Sequence, residues 1–236
     1  MTKEPKISSL IDKAIFDYQL IEENDKILLG ASGGKDSTLL IEYFANRIKR
    51  PQNHFEIQAV HIQSDFAPDF SDELKKLFAQ WNIPLEIIKV DIHKRLKQNQ
   101  KMNCYWCSTQ RRTELLNYAL QNGYNKIALG HHLDDILETF IMNMTEKGNL
   151  STMIPKMQYE KWPVSIIRPL CYVSEKRIIS HVQKKGYSSF TCTCNFQNNS
   201  TRKAARKKLE ILTEGSENKK QLIFKALKNV QKEYLL

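Results

Sequence analysis

The chain has 236 residues, 41% of them apolar, which is enough for one well-packed domain and little more. No uncharged apolar stretch approaches the roughly 20 residues of a membrane span. The N-terminal MTKEPKISSLIDKAIF lacks the layout of a signal peptide, so a cytoplasmic location and no membrane partner are expected. Five cysteines, an odd number in a reducing compartment, argue against a disulfide framework and turn the thiols toward metal or redox chemistry.

In chain order, β-rich runs are expected at Lys26 to Gly30, Glu56 to Ile62, Leu85 to Val90, Lys126 to Gly130 and Ser165 to Arg168. Helical spacing of apolar residues runs from Lys6 to Gln19, Asp36 to Lys49, Ser71 to Gln80, Ser108 to Gln121, His131 to Lys147 and Ser174 to Lys185, with one or two more helices after Thr201. Asn149 to Pro163, with two prolines and no clear period, reads as a loop. The alternation implies an α/β, doubly wound, mainly parallel sheet of five strands with helices on both faces. Residues 1–200 are expected to form the main domain. Residues 201–236 are expected to form basic helices packed on or beside it.

The run LLGASGGKDSTLLIEYF raises the question of function. A strand feeds Ser32-Gly33-Gly34-Lys35-Asp36-Ser37, and a helix follows at once. Backbone N–H groups at a glycine turn and a helix N-terminus make an anion site, to which Lys35 adds charge and the Ser32 and Ser37 hydroxyls add donors. The Walker pattern fails, because Leu29 and Asp36 occupy its glycine and Ser/Thr positions; G-x-G-x-x-G fails as well. After the fourth strand, GHHLDDILETF sets Gly130, His131, Asp134, Asp135 and Glu138 at the start of a second helix, with His131, Asp135 and Glu138 spaced to share a face. Asp134 and Asp135 suit a magnesium ion on a triphosphate. They are equally suited to the positive end of the helix dipole.

Cys104 and Cys107 form a C-x-x-C followed by Arg111 and Arg112, and Cys194 lies before a basic helix. The spacing alone also fits a redox pair or half a zinc site. No second C-x-x-C or nearby His pair completes a tetrahedral zinc site, so three cysteines remain as ligands. Three thiolates are one short of an ordinary four-cysteine cluster, and a three-cysteine [4Fe–4S] cluster would leave one iron open. Cys171 reads as a buried apolar residue. From Thr201 to the end, ten Lys or Arg stand against four acids, including Arg202, Lys203, Arg206, Lys207 and Lys208, which suits a polyphosphate partner or a solvated helix face.

SGGKDS resembles the signature of the PP-loop ATP pyrophosphatases, also called the adenine nucleotide alpha hydrolase group, and GHHLDD resembles a second element of that superfamily. Together with CYWCSTQRR, IIRPLCYVSEK and the late CNFQNNSTRKAARKKLEIL, the chain resembles the tRNA 2-thiocytidine synthetase (TtcA) family from about Asp25 to Leu212. The resemblance implies an ATP-dependent tRNA sulfurtransferase. It would adenylate the C2 carbonyl oxygen of an anticodon-loop cytidine and transfer sulfur by way of a [4Fe–4S] cluster. ATP would sit on Ser32 to Ser37 with Gly130 and His131; Lys35, Asp36 and Asp135 would be catalytic.

Cys104, Cys107 and Cys194 would hold the cluster. Cys194 is preferred to Cys192 because it aligns with the family's late cysteine. The family usually has a further cysteine where this chain has Gln197. Mg²⁺ would be required, and Arg111, Arg112, Arg202, Lys203, Arg206 and Lys207 would grip tRNA. A cysteine desulfurase would supply sulfur, and a homodimer is implied. Other readings are a lysidine-synthetase-like ligase, thiolation of uridine instead of cytidine, and a cluster-carrying RNA-binding regulator with a vestigial ATP site.

Overall fold

The computed structural model describes residues 4–51, 54–96, 101–159, 162–187 and 200–234. Cys192 and Cys194 lie outside them. Helix α1 (Ile7–Tyr18) precedes β1 (Lys26–Gly30), and the chain then alternates: α2 (Lys35–Arg47), β2 (Glu56–Ser64), α3 (Asp72–Gln80), β3 (Leu85–Val90), α4 (Cys104–Gln121), β4 (Lys126–Ala128) and α5 (Leu133–Lys147). Two short strands follow, β5 (Lys156–Gln158) and β6 (Ser165–Ile167), then α6 (Glu175–Lys185), α7 (Ser200–Thr213) and α8 (Glu217–Ala226). No helix among the described residues is long and apolar enough to cross a membrane.

The sheet has six strands in the order β3-β2-β1-β4-β6-β5, all parallel except the antiparallel β5. The expectation of five strands is therefore corrected. Strand β5 lies inside the stretch read as a loop. It forms because Met157 pairs with Ile166 across a hairpin, which no apolar alternation announces.

Residue parity along each strand sends side chains to opposite faces. Ile27, Leu29, Ala59, Ala128 and Ile167 pack under α1, α2, α3, α5 and α6, together with Leu209 of α7 and Phe224 of α8. Leu28, Val60, Ile62, Ile127 and Ile166 pack instead against Leu116 and Ala119 of α4. Both faces are thus covered, which is why β1 and β4 carry no polar side chain after their leading lysines. At the N-terminal end of the sheet, Lys126 Nζ meets Asp25 Oδ2 at 2.5 Å, a buried pair that fixes β4 beside β1.

Strand order reverses between β1 and β4, so the crevice for a ligand opens beyond their C-terminal ends. In a parallel sheet each crossover helix returns antiparallel to its strands, which places the N-termini of α2, α4 and α5 at that same end. Three positive helix ends therefore converge on one crevice.

Candidate active site

The turn between β1 and α2 is held open by its own hydrogen bonds. Ala31 N–H donates to Val60 O at 2.8 Å, anchoring the turn to β2, and His61 Nδ1 lies 2.6 Å from Ala31 O. Gly33 has φ +85°, in the region that favours glycine, and the chain reverses there. Ser37 Oγ donates to Gly34 O at 2.9 Å and lies 3.0 Å from Ser32 Oγ. The two hydroxyls flank the free N–H groups at the start of α2, an arrangement that suits phosphate oxygens.

Gly130 lies directly against this turn. A Cβ there would stand 2.9 Å from Ser37 N and 3.0 Å from Asp36 C. Only a glycine lets the loop after β4 approach α2 so closely.

Beyond it His132 is extended, and α5 begins at Leu133, two residues later than the sequence pattern suggests. Asp135 Oδ2 accepts the His132 N–H at 3.1 Å, closing the first turn. The His132 ring stands among three carboxylates, 3.8 Å from Asp36 Oδ1, 3.8 Å from Asp134 Oδ2 and 3.4 Å from Asp135 Oδ2.

A cleft of about 340 Å³ is lined by Ser32, Asp36, Ser37, Gly130, His131 and Asp135 on one side and by Ser108, Arg111 and Arg112 of α4 on another. Its apolar walls are Val60, Ile62, Leu115 and Leu129. These four belong to none of the sequence motifs; they suit a flat heterocycle such as adenine.

Burial pushes the Asp36 carboxyl above its usual range, and neighbouring Asp135 pushes it further. For Asp135 burial acts the same way, but His132, Arg202 and His131 outweigh it and hold the carboxyl below its usual value. Burial lowers His131 to about 4, so its ring is neutral near pH 7. Burial alone would lower Lys35; Asp36 and Glu175 together raise it.

Two carboxylates at one cleft fit the few-carboxylate coordination of Mg²⁺, and Asp36 Oδ1 is buried with no hydrogen-bond partner among the described residues, as an oxygen awaiting a cation would be. The pair differs from the one expected. Asp134 does not line this cleft: its Oδ1 takes Lys220 Nζ at 2.8 Å and its Oδ2 accepts the Glu175 N–H at 2.7 Å. One residue along a helix turns a side chain by about 100°, so Asp134 faces α8 and α6 while Asp135, whose oxygens meet Arg202 and the His132 N–H, lines the cleft. The structure thus corrects the assignment of Asp134 to magnesium.

Cys104 and Cys107 occupy the first turn of α4, three residues apart and so on one face. Asn103 caps this helix through Oδ1 and the Trp106 N–H at 2.9 Å, so α4 begins at Cys104, four residues before the expected start at Ser108. Soft sulfur ligands on one face fit the corner of an iron–sulfur cluster. Among the described residues no group of three His, Cys, Asp or Glu is arranged around a metal. The third expected ligand, Cys194, lies outside those residues.

The basic helix α7 does not present all its cations outward. Arg202 donates to Asp135 Oδ1 at 2.6 Å and to Glu138 Oε2 at 3.1 Å. Arg206 donates to Glu138 Oε1 at 2.7 Å. Glu138 is 1% exposed, and these arginines are its counter-charges. Arg202 and Arg206, expected to grip tRNA, are thus already paired with carboxylates of this chain, although Arg206, like Lys203 and Lys207, is exposed. Gly33 and Gly34 belong to the turn itself. Lys35 points to Glu175 and Asp36 and does not line the cleft.

A PP-loop domain matches residues 3–212. The tRNA-cytidine(32) 2-sulfurtransferase of Alkalilimnicola ehrlichii is 35% identical over 99% of this chain and 76% of its own length. The chain belongs to the tRNA 2-thiocytidine synthetase family of PP-loop enzymes. A further relative, the tRNA-cytidine(32) 2-sulfurtransferase of Geotalea uraniireducens, is 33% identical over 98% of the chain and 94% of its own length. Among solved structures, the U34-tRNA thiolase NcsA from Methanococcus maripaludis, with its [4Fe–4S] cluster, superposes with a TM-score of 0.77 at 20% identity. The match covers 94% of this chain and 77% of that one, which shows a shared fold.

Proposed function

We propose that this enzyme thiolates a cytidine of tRNA at C2 in an ATP-dependent reaction. The carrying observation is that the phosphate turn, the carboxylates Asp36 and Asp135, and Ser108, Arg111 and Arg112 of α4 line one cleft, with Cys104 and Cys107 in the first turn of that same helix. The phosphates of ATP would lie on the N–H groups from Ser32 to Ser37, with the base against Val60, Ile62 and Leu129. The cytidine O2 attacks the α phosphorus, the bond to the β-phosphate bridging oxygen breaks, and pyrophosphate leaves.

Asp36 and Asp135 would hold Mg²⁺ on the departing phosphates, and Lys35 would neutralise their growing charge. Neutral His131 adds no charge beside the reacting oxygen. Adenylation turns a poor leaving oxygen into AMP. Sulfide then attacks C2, and the C2–O bond breaks to release AMP.

Cys104, Cys107 and Cys194 would hold a [4Fe–4S] cluster. When bound, such a cluster has one iron without a protein ligand and so supplies an open site for sulfur. Ser108, one residue past Cys107, lines the nucleotide cleft, which supports delivery of sulfur to a base activated there. Arg111 and Arg112, on the same wall, would hold phosphates of the anticodon arm, and Lys203 and Lys207 would extend that contact.

The test is nucleoside mass spectrometry of tRNA from cells carrying the gene, lacking it, or carrying Lys35→Ala or Cys104→Ala. Loss of 2-thiocytidine in all three altered strains is expected. Unchanged thionucleosides in the deletion strain would sink the proposal. Unchanged thionucleosides, with an amine-modified cytidine lost in the deletion and Lys35→Ala strains but kept in Cys104→Ala, would favour an amine-transferring ligase.

A further inference from the structure

A continuous series of ion pairs leads from the phosphate turn to the C-terminal helices. Lys35 Nζ lies 2.9 Å from Glu175 Oε1. The other oxygen of Glu175 lies 3.3 Å from Arg206 Nη2, and Arg206 continues to Glu138. Glu175 is the first residue of α6, and its backbone N–H is fixed by Asp134, which is fixed in turn by Lys220 of α8. One carboxylate therefore spans the turn that precedes α2 and the outer surface of α7.

The bland account of Glu175 is an acid at a helix N-terminus, which stabilises α6 by about 0.3–1 kcal/mol through the dipole. That account predicts nothing about nucleotide. The geometry says more. The Lys35 and Glu175 side chains are only 24% and 23% exposed, so solvent screens their attraction incompletely. A triphosphate on the turn requires the same ammonium group. Glu175 and phosphate are therefore competitors for Lys35. Arg206 acts on the competition from the far side, because any charge it draws from Glu175 weakens the hold on Lys35.

We propose that Glu175 is a positioning residue that parks the phosphate-turn lysine when no nucleotide is bound, and that Arg206 sets how firmly it does so. The proposal rests on the reading that ATP binds the turn. Binding of ATP then moves Lys35 from Glu175 to phosphate and leaves Glu175 to Arg206, which tightens α6 against α7. Nucleotide affinity and the seating of the basic helix become linked quantities, each changing the other by the same factor.

The experiment is titration calorimetry of the full chain with Mg²⁺ and an ATP analogue that cannot be cleaved between the α and β phosphates. Wild type, Glu175→Gln, Arg206→Gln and the double variant are compared, with thermal melts to confirm folding. Removing the competitor should tighten binding about five-fold in Glu175→Gln, the scale of one partly screened ion pair. Arg206→Gln should weaken binding about three-fold, since Glu175 then holds Lys35 more firmly.

The double variant should match Glu175→Gln, because Glu175 is the carboxylate that Lys35 and Arg206 share directly. Unchanged or weaker binding in Glu175→Gln, or an Arg206 effect that persists in the double variant, overturns the proposal. Arg206→Gln leaves Arg202 paired with the buried Glu138, and wild-type affinity in the folded Arg206→Gln protein is equally fatal. If wild type binds no nucleotide, the ATP reading itself falls and takes this one with it.

Discussion

Gly130→Ala is the most local perturbation of the cleft. The added Cβ would stand 2.9 Å from Ser37 N and 3.0 Å from Asp36 C. That is roughly 0.5 Å or more inside a comfortable contact. Both atoms are backbone at the start of α2, so no flexible side chain can yield. The φ of Gly130 is not positive, so the clash is the whole effect. Overpacking of this kind costs about 1–3 kcal/mol. For a domain of this size each kcal/mol lowers Tm by about 2–4 °C, giving a loss of about 2–12 °C.

The functional loss should be larger than stability alone implies. The turn must retreat by a few tenths of an ångström, and its N–H groups then miss the phosphates. A fall of about ten-fold or more in kcat/KM for ATP is expected, read as pyrophosphate release with tRNA. Gly123→Ala is the control: with φ +71° and nothing within 4 Å of the added carbon, it should lose about 1 kcal/mol of stability and no activity. Wild-type ATP kinetics in Gly130→Ala would refute the reasoning.

Lys220→Met should remove about 3 kcal/mol of stability, because Asp134 and Lys220 are a pair only 8% and 10% exposed and the stranded carboxylate stays buried; a Tm within 2 °C of wild type would contradict this. Burial holds His131 at about 4, below its unfolded value near 6.5, so the unfolded chain binds its proton first as pH falls. The associated stability is complete above about pH 6.5 and is lost progressively toward pH 4, by on the order of 3 kcal/mol. Urea midpoints measured across that range should fall less in His131→Gln, and an identical pH slope in the two proteins would count against it.

Much of the architecture was legible because it rests on patterns a single strand or helix reveals. The apolar runs of β1 and β3 coincide with their strands, and the glycine turn announced the crevice. What escaped depends on partners distant in the chain. Strand β5 is three residues, two of them polar, and exists only by pairing with β6. Asp134 and Asp135 are indistinguishable as neighbours in a sequence, yet helical rotation gives one to Lys220 and the other to the cleft. Arg202 and Arg206 read as an RNA-facing stripe, since nothing local signals that buried Glu138 needs both. Asn103 was legible in principle as a capping residue before C-x-x-C, but the cysteines drew the attention.

The sheet ends at β3 on one margin and β5 on the other. On β3 Glu86 and Lys89, on opposite faces of the strand, are both exposed. Strand β5 is brief, and its Lys156 is tied to Glu22. Short or charged margins discourage another strand from docking edge to edge. Two copies of this chain would therefore have to associate through helical surfaces, each molecule keeping its own sheet closed to recruitment.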